Sequence, residues 1–457
     1  MGIFGALTTS VAGLRAGSYA LENISGNIAN SQTTAFKRVD TAFIDLIPST
    51  SVNQQLSGSV TTQSRSTNTV QGGLENASVA TYMAINGQGF FVVQKPGSFA
   101  DNNPVFTGVD MYTRRGDFML DKNGYLVNGA GYYLEGILID PATGNLSGSA
   151  PSVLKFENNL LPARSTTRID YRANLPQYPL TTNADPAVPG SELLNPADFA
   201  NDPTTGGTGV VTGVDAQTFV DNSIAGGALT VYDPVGSPVN LQLRWAKVDN
   251  SASGGADTWN LFYLTDSNAT GSAAAWQNAG VDFTFGPNGQ PNPPISSLTL
   301  TNATVNGVQL GDVSMFFGTG GMTQFADPNG NVQVNQIQQD GYPAGFLQSV
   351  SMGENGRIVG NYSNGRNIDL AQVVLANFNG PDFLKRVDGG AFEATDQSGQ
   401  AIYRQGGNII GSALEGSNVD IADEFTKLII TQQAYSANTK VITTTNSMVQ
   451  DLINVIR

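Results

Sequence analysis

The chain has 457 residues, enough for two or three domains with cores of their own. It contains 53 glycines but no cysteine and no histidine, which excludes disulfides, thiol and imidazole catalysis, haem, and ordinary zinc or copper sites. A formal net charge of −15 argues against nucleic acid as a partner, because phosphate binding needs an excess of Lys and Arg.

The first 30 residues read as one helix, about 45 Å long at 1.5 Å per residue. Phe4, Leu7, Val11, Leu14, Leu21 and Ile28 repeat with three-then-four spacing, and Ser18 and Ser25 fill the open slots. Only Arg15 and Glu22 are charged, so the outer face suits copies of itself better than water. The segment has no basic start and no long apolar run, so a cleaved secretory signal is not expected. No stretch approaches the roughly 18 apolar residues of a membrane span, so membrane insertion is not expected either.

Residues 31–75 follow, with a Ser/Thr/Gln/Asn-rich run over 49–71 that offers little for a core. The reading there is a polar linker, either solvated or ordered only against neighbouring subunits. From Ala77 the pattern changes to short apolar runs broken by turn signals. Met83-Ala84-Ile85 runs through Asn86-Gly87 into Phe90-Phe91-Val92-Val93, and Phe118-Met119-Leu120 runs through Asp121 to Gly124 into Tyr125-Leu126-Val127. Both predict hairpins, since Asn-Gly accepts the positive φ of type I′ turns. All nine Asn-Gly pairs lie between Asn86 and Gly380, which predicts a middle built of short antiparallel strands.

Residues 174–213 are rich in Pro, Asn and Gly and read as loops or an insertion. Strands are predicted at Leu229–Tyr232, Leu241–Trp245 and Trp259–Leu264, then between Leu298 and Val313 and from Phe346 to Phe392. The last helix opens at Ser417-Asn418-Val419-Asp420, a Ser-x-x-Asp pattern suited to capping, and extends about 60 Å. Its apolar positions are Ile421, Phe425, Leu428, Tyr435, Ile442, Val449, Ile453 and Ile456, interrupted by Gln432, Thr439 and Asn446. Two such seams at the two ends of the sequence let the chain close on itself, with β structure carried between them.

No catalytic constellation stands out. The acidic residues are scattered through turn-rich segments, so no pair suggests a two-acid glycosidase. Asp327-Pro328-Asn329-Gly330-Asn331 resembles the start of a calcium loop but has Val332 where the sixth-position glycine belongs and Gln338 where the twelfth-position acid belongs. Gly318-Thr319-Gly320-Gly321 and Gly206-Gly207-Thr208-Gly209 lack the Gly-Lys-Ser/Thr ending of a phosphate loop. These segments read as turns, no cofactor or metal is expected, and the chain is not expected to be an enzyme.

Ser25-Gly26-Asn27-Ile28-Ala29-Asn30-Ser31-Gln32-Thr33-Thr34-Ala35-Phe36-Lys37 resembles the signature that closes the first helix of bacterial flagellar rod and hook proteins, with Ala35 where the family usually has Gly. Asn418, Asp420, Glu424-Phe425 and the run from Gln432 to Asn438 resemble the same family's C-terminal signature, with Gln433 where Arg is common. Ala84–Phe91 and Tyr112–Phe118 look like the first β domain shared by rod and hook. Leu229–Asp233 with Gly236, Gly341–Gly345 and Gly356–Gly365 look like the outer domain of hook proteins.

The resemblance implies a structural subunit of the flagellar hook, exported without a cleaved signal and assembled into a curved tube between rod and filament. The implied partners are other hook subunits, the distal rod protein, the hook cap, the hook–filament junction protein and the flagellar export apparatus. A distal rod or junction protein is the nearest alternative, and a secreted β-rich adhesin or carbohydrate-binding protein is the alternative from another class.

The expected fold is mainly β with α-helical termini, the two terminal helices pairing as a coiled-coil-like inner domain. The expected parts are an inner domain of 1–30 with 418–457, a polar linker of 31–75 with 395–417, a first β domain of 76–150 with 346–394, and an outer β domain of 151–345 with loops inserted over 177–227. The residues expected to carry assembly are Leu7, Val11, Leu14, Leu21, Asn27, Ile28, Asn30, Phe36 and Lys37 at one end. At the other they are Asn418, Asp420, Phe425, Leu428, Tyr435, Asn438, Ile442, Val449 and Ile453.

Overall fold

A computed structural model describes residues 3–46, 59–141, 143–157, 160–403 and 407–456, the side chains at 3, 452, 455 and 456 apart. Residues 49–58 of the polar run, the side chain of Ile456 and Arg457 therefore lie outside the described residues. Three α-helices are present among the latter: α1 (Ile3–Ala29), α2 (Ala216–Asp221) and α3 (Ile421–Ile456). The remaining regular structure is almost all strand, in several mostly antiparallel sheets. The chain divides into two compact units, one of 1–158, 347–362 and 367–457 and one of 159–346 and 363–366.

In the first unit α1 and α3 lie against each other, and α1 also packs on a hairpin of Val39–Leu46 with Ser59–Ser66. The described residues of the polar segment are thus neither a free linker nor a chain waiting for neighbours. Its strands pair in register, and Asn23 Nδ2 donates to Thr41 Oγ1 at 2.8 Å across the helix–hairpin contact. Polar side chains suffice because the backbone ladder satisfies the strands and Tyr19 and Asn23 supply the cross-links. Past the hairpin, Thr67 and Asn68 are buried, and Asn68 Nδ2 donates to the Pro381 carbonyl at 2.9 Å.

The sheet of this unit encloses Met83, Ile85, Phe91, Val93, Phe118, Leu134 and Leu375. The predicted hairpin through Asn86-Gly87 is not formed. Strand Met83–Asn86 pairs with Asn408–Gly411, and Phe90–Ala100 pairs with Asn103–Thr113, Tyr133–Leu138 and Leu375–Asn377. Gly87 does take a positive φ of 106°, but with Gly89 at 123° it turns the chain from one sheet into another. The hairpin through Gly124 is formed, Met119–Leu120 pairing with Leu126–Val127. Its turn is organised by Asp121, whose Oδ1 accepts from the amides of Asn123 and Tyr125 at 2.8 Å each.

The second unit packs two five-stranded sheets around one aromatic core. One sheet orders 210–212, 274–285, 257–264, 238–249 and 224–232, and the other is built on Arg168–Leu175. The second contains parallel pairs, Arg168–Leu175 with Val308–Phe316 and with Met322–Gln324, which a purely antiparallel reading missed. The core includes Tyr171, Trp245, Trp259, Phe283 and Phe317, all fully buried. Trp245 Nε1 donates to the Tyr171 hydroxyl at 3.0 Å, and that hydroxyl donates to the Gly226 carbonyl at 2.8 Å. The residues read as loops or an insertion over 177–227 carry α2 and a core of their own, where Leu194, Phe199, Val211 and Phe219 pack with Phe262 and Trp276.

Candidate assembly interface

The α1–α3 seam is built from small residues on one side and alternating polar and apolar residues on the other. The helices run antiparallel: a Cβ on Gly13 would meet Asn438 Nδ2 at 2.8 Å, one on Gly17 would stand 3.6 Å from the Tyr435 ring, and Asn27 Nδ2 donates to Glu424 Oε2 at 3.0 Å. Ser10, Ala20 and Ile24 are buried in the same phase, so the face of α1 towards α3 reads Ser10, Gly13, Gly17, Ala20, Ile24, Asn27. Facing it, α3 presents Glu424, Leu428, Thr431, Tyr435, Asn438, Ile442, Thr445 and Val449, a three-four repeat.

That phase corrects the sequence reading. On α1 the large residues Leu7, Leu14, Leu21 and Ile28 flank the tight seam and are half-buried. Leu7 and exposed Val11 instead line an open groove of about 590 Å³ beside the hairpin, with Arg15 and Tyr19. Apolar spacing misplaced the seam because glycine and alanine score as weak positions, although they are what lets two helices approach closely. On α3, Leu428, Tyr435, Ile442 and Val449 do face α1, but the polar positions between them are Glu424, Thr431, Asn438 and Thr445. Gln432, Thr439 and Asn446 point elsewhere. Phe425 is 49% exposed on another face, and Ile453, 56% exposed, continues the stripe past the residues that meet α1.

Below the seam the two signatures meet in one buried network. Asn27 donates to the Val39 carbonyl and accepts from its amide, fixing how the chain leaves α1. Asn30 Nδ2 donates to the Gly26 carbonyl at 2.8 Å and closes the helix end. Ala35, where Gly is usual in the resembled family, holds a positive φ of 56° and donates its amide to the Glu415 carbonyl at 2.8 Å. Asn418 accepts from the Arg38 amide at 2.7 Å and donates to Thr67 and to the Val70 carbonyl. Its own amide donates to the Phe36 carbonyl, and the Arg386 guanidinium lies 5.2 Å over the Phe36 ring. Asp420, not Ser417, caps α3: its Oδ1 accepts from the amides of Ala422 and Asp423.

The centre of the network is Glu415, fully buried between two cations. Lys37 Nζ is hydrogen-bonded to one carboxylate oxygen, and the other accepts from Arg114 at 3.2 Å. The Gly72 amide donates to the same oxygen as Lys37, and Lys37 also donates to the Val70 carbonyl at 2.7 Å. Burial is the largest influence on both cations and holds their pKa below the ordinary values, with Glu415 opposing it. Gly72 admits no side chain, since its Cβ would stand 2.2 Å from the Gly416 carbonyl oxygen. Sequence reasoning found Lys37 but missed Glu415, Arg114 and Gly72. Arg114 was read only as part of the Tyr112–Phe118 motif, and Lys37 and Glu415 lie 378 positions apart.

The seam leaves two other stripes of α3 uncovered within the chain. At 100° per residue they lie about a third of a turn to either side of it. One carries Ile430, Ala434, Ala437, Val441 and Met448, the other Ile421, Phe425 and Ile429, all exposed. Among the described residues no helix is long and apolar enough to cross a membrane, and no group of three or more acidic residues could hold a metal ion.

Three family models match the chain: the flagellar basal body rod FlgEFG protein C-terminal region at 410–455, the flagellar hook protein FlgE/F/G D1 domain at 84–153, and the flagellar basal body protein FlaE D2 domain at 221–342. The flagellar hook protein FlgE of Brucella abortus is 31% identical over 462 residues, with 100% of both chains covered. That of Salmonella typhimurium is 29% identical over 454 residues, covering 97% of this chain and 98% of its own. A crystal structure of Helicobacter pylori flagellar hook protein FlgE2 aligns with 73% of this chain at 15% identity and a TM-score of 0.46. With its end signatures joined in one network and a relative this similar along its whole length, the chain belongs to the flagellar hook protein family.

Proposed function

We propose that this chain is the structural subunit of the flagellar hook and polymerises with copies of itself into a curved helical tube that joins rod to filament and transmits torque as a flexible joint. The proposal extends to its surroundings: a place in the flagellum outside the cell, export through the flagellar apparatus, and contacts with the distal rod protein, hook cap and hook–filament junction protein. In it, 1–30 with 418–457 form the inner domain, and the β regions are carried outward.

The observation that carries this reading is the unfilled stripe Ile430, Ala434, Ala437, Val441, Met448 on a helix whose first seam is already occupied. A three-four repeat on a second face fits a second helix. Because that face differs from the one covered by α1, the contact is heterologous and propagates rather than closing a pair. Bending then requires the outer parts to shift against neighbours. The second unit, with fifteen acidic and six basic residues, keeps a hydrated surface able to exchange contacts at small cost.

The test is electron microscopy of the purified full-length chain beside V441D. The expected result is tubes from the parent and none from the variant, with unchanged helix content by circular dichroism because Val441 faces away from α1. Parent-like tubes from V441D would overturn the role given to this stripe.

A further inference from the structure

One face of the first unit's sheet gathers acidic and phenolic groups, and among the described residues Glu135 there has no basic partner. Strand alternation puts Gln94, Asp110, Tyr112 and Glu135 on that face, Gln94 lying directly opposite Asp110 in one ladder and opposite Tyr133 in the next. Gln94 Nε2 donates to Asp110 Oδ1 at 3.2 Å, and the Tyr403 hydroxyl donates to Asp110 Oδ2 at 2.7 Å. Glu135 is 1% exposed, and its Oε1 is buried without a hydrogen-bond partner. Among the described residues no Lys or Arg forms an ion pair with Glu135. The titratable groups facing it are Asp110 and Tyr112 from one strand, and Tyr403 from another strand interacts with both of these.

Tyr403 is the loosest part of this arrangement. Its strand, Ile402–Tyr403, pairs with Leu375–Asn377 through only Ala376↔Tyr403 and Asn377↔Ile402. Both of its side chains are exposed, and Ala401 before them packs onto the cluster of Phe90, Val92, Tyr112 and Ala376. The side-chain bonds of Tyr403 to Asp110 and Tyr112 therefore help hold a short strand that little else retains.

We propose that Glu135 carries a proton in the closed protein and that its ionisation frees the Tyr403 strand from Asp110, so that this face of the first unit works as a proton-operated latch. An ionised Glu135 would be a buried negative charge beside the half-buried Asp110, with no counter-ion among the described residues. Water has to enter, and the least-paired cover gives way. Burial first and the Asp110 charge second push Glu135 up to about 7 from the ordinary 4.5, with the Gln94 amide opposing. A carboxyl raised in this way contributes stability to the closed form that is full below 4.5 and is lost as pH rises through about 7.

Hydrogen–deuterium exchange of the full chain, corrected for the intrinsic pH dependence of exchange, reads the latch at residues 402–403. In the parent, protection should fall by up to about tenfold per pH unit between 4.5 and about 7 and then level off. E135Q, uncharged and of the same shape, should stay protected across that range. D110N removes the repelling charge, so its window should close at lower pH; it also serves if E135Q does not fold. A flat parent profile overturns the proposal, as does parent-like loss in E135Q. A parent profile that shifts on adding calcium chloride also overturns it, since the carboxylates would then hold a cation rather than a proton.

Discussion

In the sandwich of the second unit, Tyr171, Trp245, Trp259, Phe283 and Phe317 are fully buried. In the seam of the first unit, Ser10, Gly13, Gly17 and Ala20 lie against a face of α3 where Thr431, Asn438 and Thr445 alternate with Leu428, Tyr435 and Ile442. Each aromatic side chain removes about 150–250 Å² from water, several times what a serine or alanine can offer. The sandwich therefore completes its core within one chain, whereas the helix pair closes largely on small and polar side chains and is tied by specific hydrogen bonds such as Asn27 to Glu424. The difference suits a polymer in which one region must be finished before assembly and the other by it.

The largest expected effect removes a piece of the finished core. Trp245 packs edge-on against Phe283 at 4.9 Å and bonds Tyr171, so W245A leaves a large cavity and costs about 3–5 kcal/mol. Chemical denaturation followed by tyrosine and tryptophan fluorescence should show the second unit unfolding early, while the helical signal of α1 and α3 persists. If both signals fell together, the two regions would not be energetically separate.

A smaller effect is expected at the joint beneath the seam. E415Q keeps the shape but leaves Lys37 and Arg114 as buried cations without a carboxylate, which costs about 3 kcal/mol. K37M should cost much less, because Glu415 keeps Arg114 and the Gly72 amide and a charge that burial disfavours is removed. Thermal melts of the two variants should keep that order. Equal losses would mean that the network acts by packing rather than by charge.

These elements also mark what the sequence could and could not disclose. Helix ends, strand positions such as Trp259–Leu264 and the family signatures were legible because they depend on local pattern. The partner of Met83–Asn86 was not, since Asn408–Gly411 is more than 300 residues away and Asn86-Gly87 looks like a hairpin turn wherever its strands go. The network around Glu415 was hidden for the same reason. The seam was hidden for a different one: close helix contact selects for absence of side chain, which an apolar count cannot see. Phe425, Ile429 and Ile430 are apolar and yet lie outside it.

The smallest effect tests whether polarity in the seam is for stability or for register. Asn438 lies beside Gly13, and Thr431 and Thr445 sit one heptad to either side of it. A single polar residue at such a position commonly fixes alignment at some cost in stability. T431V and T445V preserve shape and remove only a hydroxyl that bonds its own helix, Thr431 to the Lys427 carbonyl and Thr445 to that of Val441. Each should therefore raise the melting of the helical signal slightly, by about 0.5 kcal/mol. N438V should stabilise less or not at all and should broaden the distribution of tube geometries under the microscope, because alternative alignments of α1 on α3 would no longer be penalised. If N438V tubes were as uniform as the parent's, alignment would be set by Asn27–Glu424 and the Glu415 joint, and the polar seam would not be a register device.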